Sequence, residues 1–112
     1  MKRIHYAGGS VLTGDDIADA LVRLAEALAL SNKAADIQAP AMSDGGHVTD
    51  VVMLMGPASQ ILAEHEVFDG EELVDTEFVE GLEHRIDELA PARAGFVRNG
   101  VDGLDDVDLE FL

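Results

Sequence analysis

The sequence predicts an α+β fold: a single domain with one antiparallel sheet of four to six strands and two helices, in the order ββαβββα, with room for an extra C-terminal strand. Three observations carry this. Short alternating segments are separated by reversals rich in glycine, "YAGGS" and "SDGG". Two longer stretches place apolar residues at helical spacing. A chain of 112 residues, 47% hydrophobic and only 4% aromatic, is the size of one domain with an aliphatic core.

The first strand is short, Arg3 to Tyr6, with Ile4 and Tyr6 on one face and Arg3 and His5 on the other. Gly8 and Gly9 supply the positive backbone angles of a tight hairpin, and Ser10 to Leu12 returns. Thr13 is then the expected N-cap of a helix over Asp15 to Ser31, with Asp16 as the capping-box acid. Ile17, Leu21, Leu24 and Leu28 form its apolar stripe, widened by Val22, Ala25 and Ala29, and "SNK" ends it.

Ile37, Ala39 and Ala41 alternate with polar residues and Pro40, which predicts a strand at a sheet edge because proline cannot donate to a ladder. "SDGG" turns the chain. His47 to Met55 follows as a strand, and its run "VVMLM" predicts a central position buried on both faces. Gly56 and Pro57 stop it. Within Ser59 to Val67 a further strand puts Ile61, Ala63 and His65 on one side, a short helix being the alternative. After an acidic loop, Asp75 caps a second helix whose stripe is Phe78, Leu82, Ile86 and Leu89, ending at Pro91. Residues 1–92 are read as the compact domain and 93–112 as an acidic tail, mobile or docking late.

The net charge is −16, and all of it falls after residue 35, where nineteen acids face only Arg85, Arg93 and Arg98. Such a surface repels phosphate backbones and excludes direct nucleic-acid binding as the expected role. It suits a basic or groove-bearing protein partner. Solubility alone also accounts for it. With no Cys, disulfides, thiolate nucleophiles and thiolate metal sites are absent. "MKRIHYAGG" lacks the apolar core of a secretory signal, and no apolar run approaches the ~18 residues of a membrane span, so the chain reads as cytoplasmic with no membrane role.

Catalytic patterns fail one by one. Gly9 and Gly14 have the glycine spacing of a phosphate-binding loop, but Asp15 and Asp16 stand where Lys and Ser or Thr belong, and two carboxylates repel the anion. Ser59 in "GPASQ" lacks the strand-turn-helix setting of an exposed nucleophile. No cofactor is implied, and the reading leans away from an enzyme. The alternative is a small enzyme or divalent-cation-dependent binder using Glu80, His84 and Glu88, which share one face of the second helix at spacings of four, or a cavity near the glycine hairpin. A solvated acidic helix face explains the same trio.

In the tail, Leu104, Asp105, Asp106, Val107, Asp108, Leu109, Phe111 and Leu112 interleave acids with apolar anchors, a pattern that stays soluble yet fits a groove or a sheet edge. It resembles the acidic, aromatic-ended C-terminal peptide of the bacterial tubulin-like division protein, with Glu110 where that peptide has proline. The domain's own last strand over Val107 to Phe111 is the competing reading. "IHYAGGSVLTGDDIADAL" and "LMGPASQILAE" together resemble a group of small proteins from high-GC Gram-positive bacteria; the resemblance covers roughly residues 3 to 90 and implies a cellular setting but no activity.

The leading expectation is therefore a non-catalytic protein–protein interaction module acting through its acidic C-terminal half or tail. The wide apolar arc of the first helix and the expected Pro40 edge also leave room for a homodimer.

Overall fold

The computed structural model describes residues 1–89. It contains β1 (Lys2–Tyr6), β2 (Gly9–Thr13), α1 (Asp15–Leu30), β3 (Ala35–Met42), β4 (Val48–Met55), β5 (Ile61–His65) and α2 (Thr76–Leu89). The expected order ββαβββα is the observed one. The five strands form one antiparallel sheet in the order β4-β3-β2-β1-β5. The expected boundary at residue 92, the tail and its partner-binding residues Leu104 to Leu112 lie outside the described residues.

One sheet face carries the core. Ile4, Ile37, Ala39, Met53 and Met55 pack with Ile17, Leu21, Leu24 and Leu28 of α1 and with Leu82 of α2. Burying each of the four large aliphatic residues of α1 contributes about 1.5–3 kcal/mol. The stripe of α2 rests on this cluster through Phe78, Leu82, Ile86 and Leu89, as its spacing predicts, and the Asp75 carboxylate accepts a hydrogen bond from the Phe78 amide at 3.0 Å. Val22 and Ala29 remain exposed, so the buried arc of α1 is narrower than expected.

Four sequence expectations need correction. The positive angles of the first hairpin belong to Ala7 (φ 52°) and Gly8 (φ 82°), while Gly9 already lies in β2. The N-cap of α1 is Gly14 and not Thr13, because Thr13 is the buried end of β2 and its hydroxyl donates to the Pro40 carbonyl at 2.8 Å. Pro40 sits in an interior strand. It is tolerated there because β2 pairs with β3 only at Leu12–Met42, so no backbone ladder runs past the proline on that side. Finally, β4 is an edge strand: Met53 and Met55 face the core, but Val52 and Leu54 are 70% and 61% exposed. The apolar run that suggested burial on both faces has one face open.

The connection from β4 to β5 crosses from one edge of the sheet to the other in five residues, 56–60. Such a link spans at most about 20 Å. Four strand spacings of a flat sheet are about 19 Å. A turn shortens the link further, the Ser59 amide donating to the Gly56 carbonyl at 3.0 Å, so it cannot reach across a flat sheet and the two edges approach at that end.

Candidate interaction surface

Strand register sorts the second face of the sheet. Arg3 and His5 of β1 stand beside Leu12 and Ser10 of β2, and beside Glu64 and Leu62 of β5. On β3 and β4 the same face presents Asp36, Gln38, Pro40 and Met42 opposite Leu54, Val52, Asp50 and Val48. Leu12 and Pro40, mid-sheet, are buried. Toward the edges the face opens, and Val48, Val52, Leu54 and Leu62 are 60–70% exposed.

The two edges of this face differ in charge. On the β5 side Arg3 clasps Glu66 through two bonds, Nε to Oε1 at 2.6 Å and Nη2 to Oε2 at 2.8 Å, and its Nη1 donates to the Ser10 hydroxyl at 3.0 Å. The carboxylate holds the guanidinium above its ordinary pKa, and the guanidinium holds Glu66 below the usual carboxylate range. His5 Nε2 and Glu64 Oε1 are 2.6 Å apart. On the β4 side the one charged residue of the strand is Asp50, bonded across to Gln38 at 3.2 Å. No charged residue occurs from Val51 to Ala63.

An open cavity of about 1110 Å³ lies where the edges approach, lined by His5, Tyr6, the Ala7–Gly8 turn, Leu54, the 56–60 connection and Leu62. Ser10 also lines it and stands opposite His5, but its hydroxyl is taken by Arg3. The nucleophile–base hydrogen bond that acyl transfer requires is not formed. The Ala7–Gly8 turn thus both reverses the chain and borders a cavity.

On α2, Glu80, His84 and Glu88 are all exposed, and His84 Nε2 lies 3.3 Å from Glu88 Oε2. Among the described residues no group of three or more His, Cys, Asp or Glu is placed to hold a metal ion. No helix among them is long and apolar enough to cross a membrane.

A third cluster sits at the start of α1, where the Gly14 cap has no side chain to offer. Glu72, from the loop after β5, supplies the acceptor: its Oε2 takes the Asp15 amide at 2.5 Å and its Oε1 takes the Met1 ammonium at 2.8 Å. Asp15 Oδ1 lies 2.9 Å from the same nitrogen and has no other partner. These bonds raise the pKa of the ammonium, Glu72 contributing more than Asp15, and lower those of both acids, the ammonium being the main cause in each. The sequence points to acids at this helix start but not to the distant glutamate that caps it.

Comparison with family models, with curated proteins and with solved structures gives no match.

Proposed function

We propose that this protein is a non-catalytic interaction module that takes a protein partner on the second face of its sheet. The observation that supports this is the strip of Val48, Val52, Leu54 and Leu62, each at least 60% exposed, in a chain of net charge −16. Several large apolar side chains exposed on one face of an otherwise charged surface are the usual mark of a site that a partner covers. The acidic surface around the strip favours a partner with a basic rim and disfavours nucleic acid. The tail residues Leu104 to Leu112 offer a second means of attachment on their sequence pattern alone.

Affinity capture with three forms of the protein tests this: the full chain, a chain ending at Asn99, and the Val52→Lys variant. A partner lost with Val52→Lys supports the sheet face, and one lost only on truncation moves the contact to the tail. Identical partners from all three forms would end both versions.

The cavity beside the Ala7–Gly8 turn favours a second reading, a small-molecule binder, in place of the cation site suggested by Glu80, His84 and Glu88. Calorimetric titration with nucleotides and with divalent metals separates them. Saturable nucleotide binding abolished by Leu62→Glu would establish the cavity, and saturable metal binding abolished by His84→Ala would restore the helix site.

A further inference from the structure

We propose that the partner of the β4 edge is a second copy of this chain, the two β4 strands pairing antiparallel about a two-fold axis to make one ten-stranded sheet. This rests on the reading of the protein as an interaction module and adds to the sheet face a second contact, the free edge of β4, with its own occupant.

The first argument is the state of the edge. Natural sheets blunt their edges with charge, proline or short strands, since unpaired backbone groups template association. Five-residue β5 follows that rule, with Glu64 and Glu66 beside it and Arg3 and His5 engaged to them. Eight-residue β4 does not. It contains no proline and one charge, and no strand lies on its outer side among the described residues.

The second argument is the ladder. The Ser43 amide donates to the His47 carbonyl at 2.7 Å, which continues the β3–β4 pairing one step beyond Met42–Val48. Antiparallel pairs alternate between bonded and non-bonded. Ala41–Thr49, Ala39–Val51, Ile37–Met53 and Ala35–Met55 are accordingly the bonded pairs, and Pro40, which has no amide hydrogen, falls in a non-bonded one. The N–H and C=O groups of Val48, Asp50, Val52 and Leu54 point outward, each on a residue whose side chain is exposed.

Self-pairing then selects a register. Side chains must stay on matching faces, so a residue can oppose only residues of its own parity. Centring the axis on Val51 sets Val48 against Leu54 of the second copy and Asp50 against Val52. Apolar residues meet, and no acid faces an acid. Centring it on Asp50 would oppose two carboxylates, and centring it on Val52 would leave Val48 opposite Gly56, beyond the end of the strand.

Charge supplies the third argument. Two copies each carrying −16 repel almost everywhere, and the uncharged stretch from Val51 to Ala63 is where they can approach. The dimer therefore tightens as salt rises, because the Debye length falls from about 10 Å at 0.1 M to about 3 Å at 1 M. One strand edge belongs with small interfaces, below about 1,200 Å² in total. The dimer is thus expected to dissociate on dilution.

Sedimentation of the full chain across concentration and salt is the primary measurement. Val52→Pro removes an outward N–H without touching the ladder to β3, and is expected to weaken dimerisation more than about tenfold, the loss of one or two edge bonds. Val52→Asp, which keeps the N–H and sets a second carboxylate opposite Asp50 of the other copy, is expected to weaken it through charge repulsion, with thermal unfolding confirming that both variants fold. Because the chain has no Cys, Val51→Cys places a lone thiol opposite its copy at a non-bonded pair, where Cα atoms are about 4.5 Å apart, within disulfide reach. With oxidised glutathione it is expected to give a covalent dimer, and Thr49→Cys is not. A monomer at every concentration and salt, or a dimer indifferent to both Val52 variants, overturns the proposal. If the chain is monomeric while Val52→Lys still loses a captured protein, self-pairing fails and the interaction-module reading stands.

Discussion

Gly14 and Leu73 are in backbone contact: a β-carbon at position 14 would collide with the Leu73 carbonyl oxygen and lie 2.9 Å from its carbon. The loop after β5 is thereby laid directly on the start of α1, close enough for Glu72 to cap it. Gly14→Ala is expected to destabilise the protein by about 1–3 kcal/mol, the range for an inserted methyl with no space to enter. Gly81 of α2 has open space around its Cα, and Gly81→Ala is expected to stabilise by about 0.5–1 kcal/mol through helix propensity. Urea unfolding measures both, and equal effects of one sign would refute the contact.

The cluster of Glu72, Asp15 and the Met1 ammonium makes stability depend on pH at two ends. The carboxyls of Glu72 and Asp15, with Glu66 at Arg3, titrate below their ordinary values of about 4.5, 3.8 and 4.5 in the folded chain. Their contribution is complete above those values and disappears as pH falls through the lowered folded ones. The ammonium titrates above its ordinary 8.0, so its contribution is complete below pH 8.0 and disappears as pH rises through the raised folded value. Glu72→Gln is expected to reduce the slope of stability against pH at both ends. Unchanged slopes in urea midpoints taken across the range would show that Glu72 has no such role.

Thr13 holds β2 to β3 where the ladder is thinnest. Its fully buried hydroxyl satisfies the Pro40 carbonyl. Thr13→Val keeps the shape and leaves a buried acceptor unpaired, with an expected cost of about 1–3 kcal/mol. Thr13→Ser retains the donor and is expected to lose less. A Ser variant weaker than the Val variant would mean that packing, and not the hydrogen bond, matters at this position.

α2 is held to the rest by Leu82, 3% exposed, and by the Arg23–Glu83 ion pair at 3.0 Å. Leu82→Ala is expected to cost about 2–5 kcal/mol. Arg23→Ala, in a pair with both side chains half in solvent, is expected to stay within about 0.5 kcal/mol. Thermal unfolding of the two variants decides it, and comparable losses would overturn the assignment of the attachment to the apolar stripe.

Local signals in the sequence locate every element. The stripe Ile17, Leu21, Leu24 and Leu28, the Asp75 cap and the "SDGG" turn each state a structure that a few neighbouring residues enforce. Strand order is different. "VVMLM" reads equally well as a central strand or as an edge strand with an exposed apolar face, because alternation reports sidedness and not neighbours. Pro40 misleads for a related reason: the rule that sends proline to an edge assumes full ladders on both sides of an interior strand, and β2 overlaps β3 at one pair. The candidate surface follows from that strand order, so it could not be located from the sequence. The cavity beside Gly8 joins residues some fifty positions apart, Tyr6 and Gly56 among them, and no local motif announces such a meeting.

The Leu12–Met42 pair and the Thr13 hydroxyl link two ribbons, β5-β1-β2 and β3-β4. A continuous ladder resists shear and bending through its own backbone, and across a seam this narrow that resistance is small. The ribbons are held together instead by the core they share with α1, Ile4 from one and Ile37, Ala39, Met53 and Met55 from the other. Loosening that shared core would swing the β3-β4 ribbon as a rigid flap, changing the mouth of the cavity and the aim of the outer strand in the same movement.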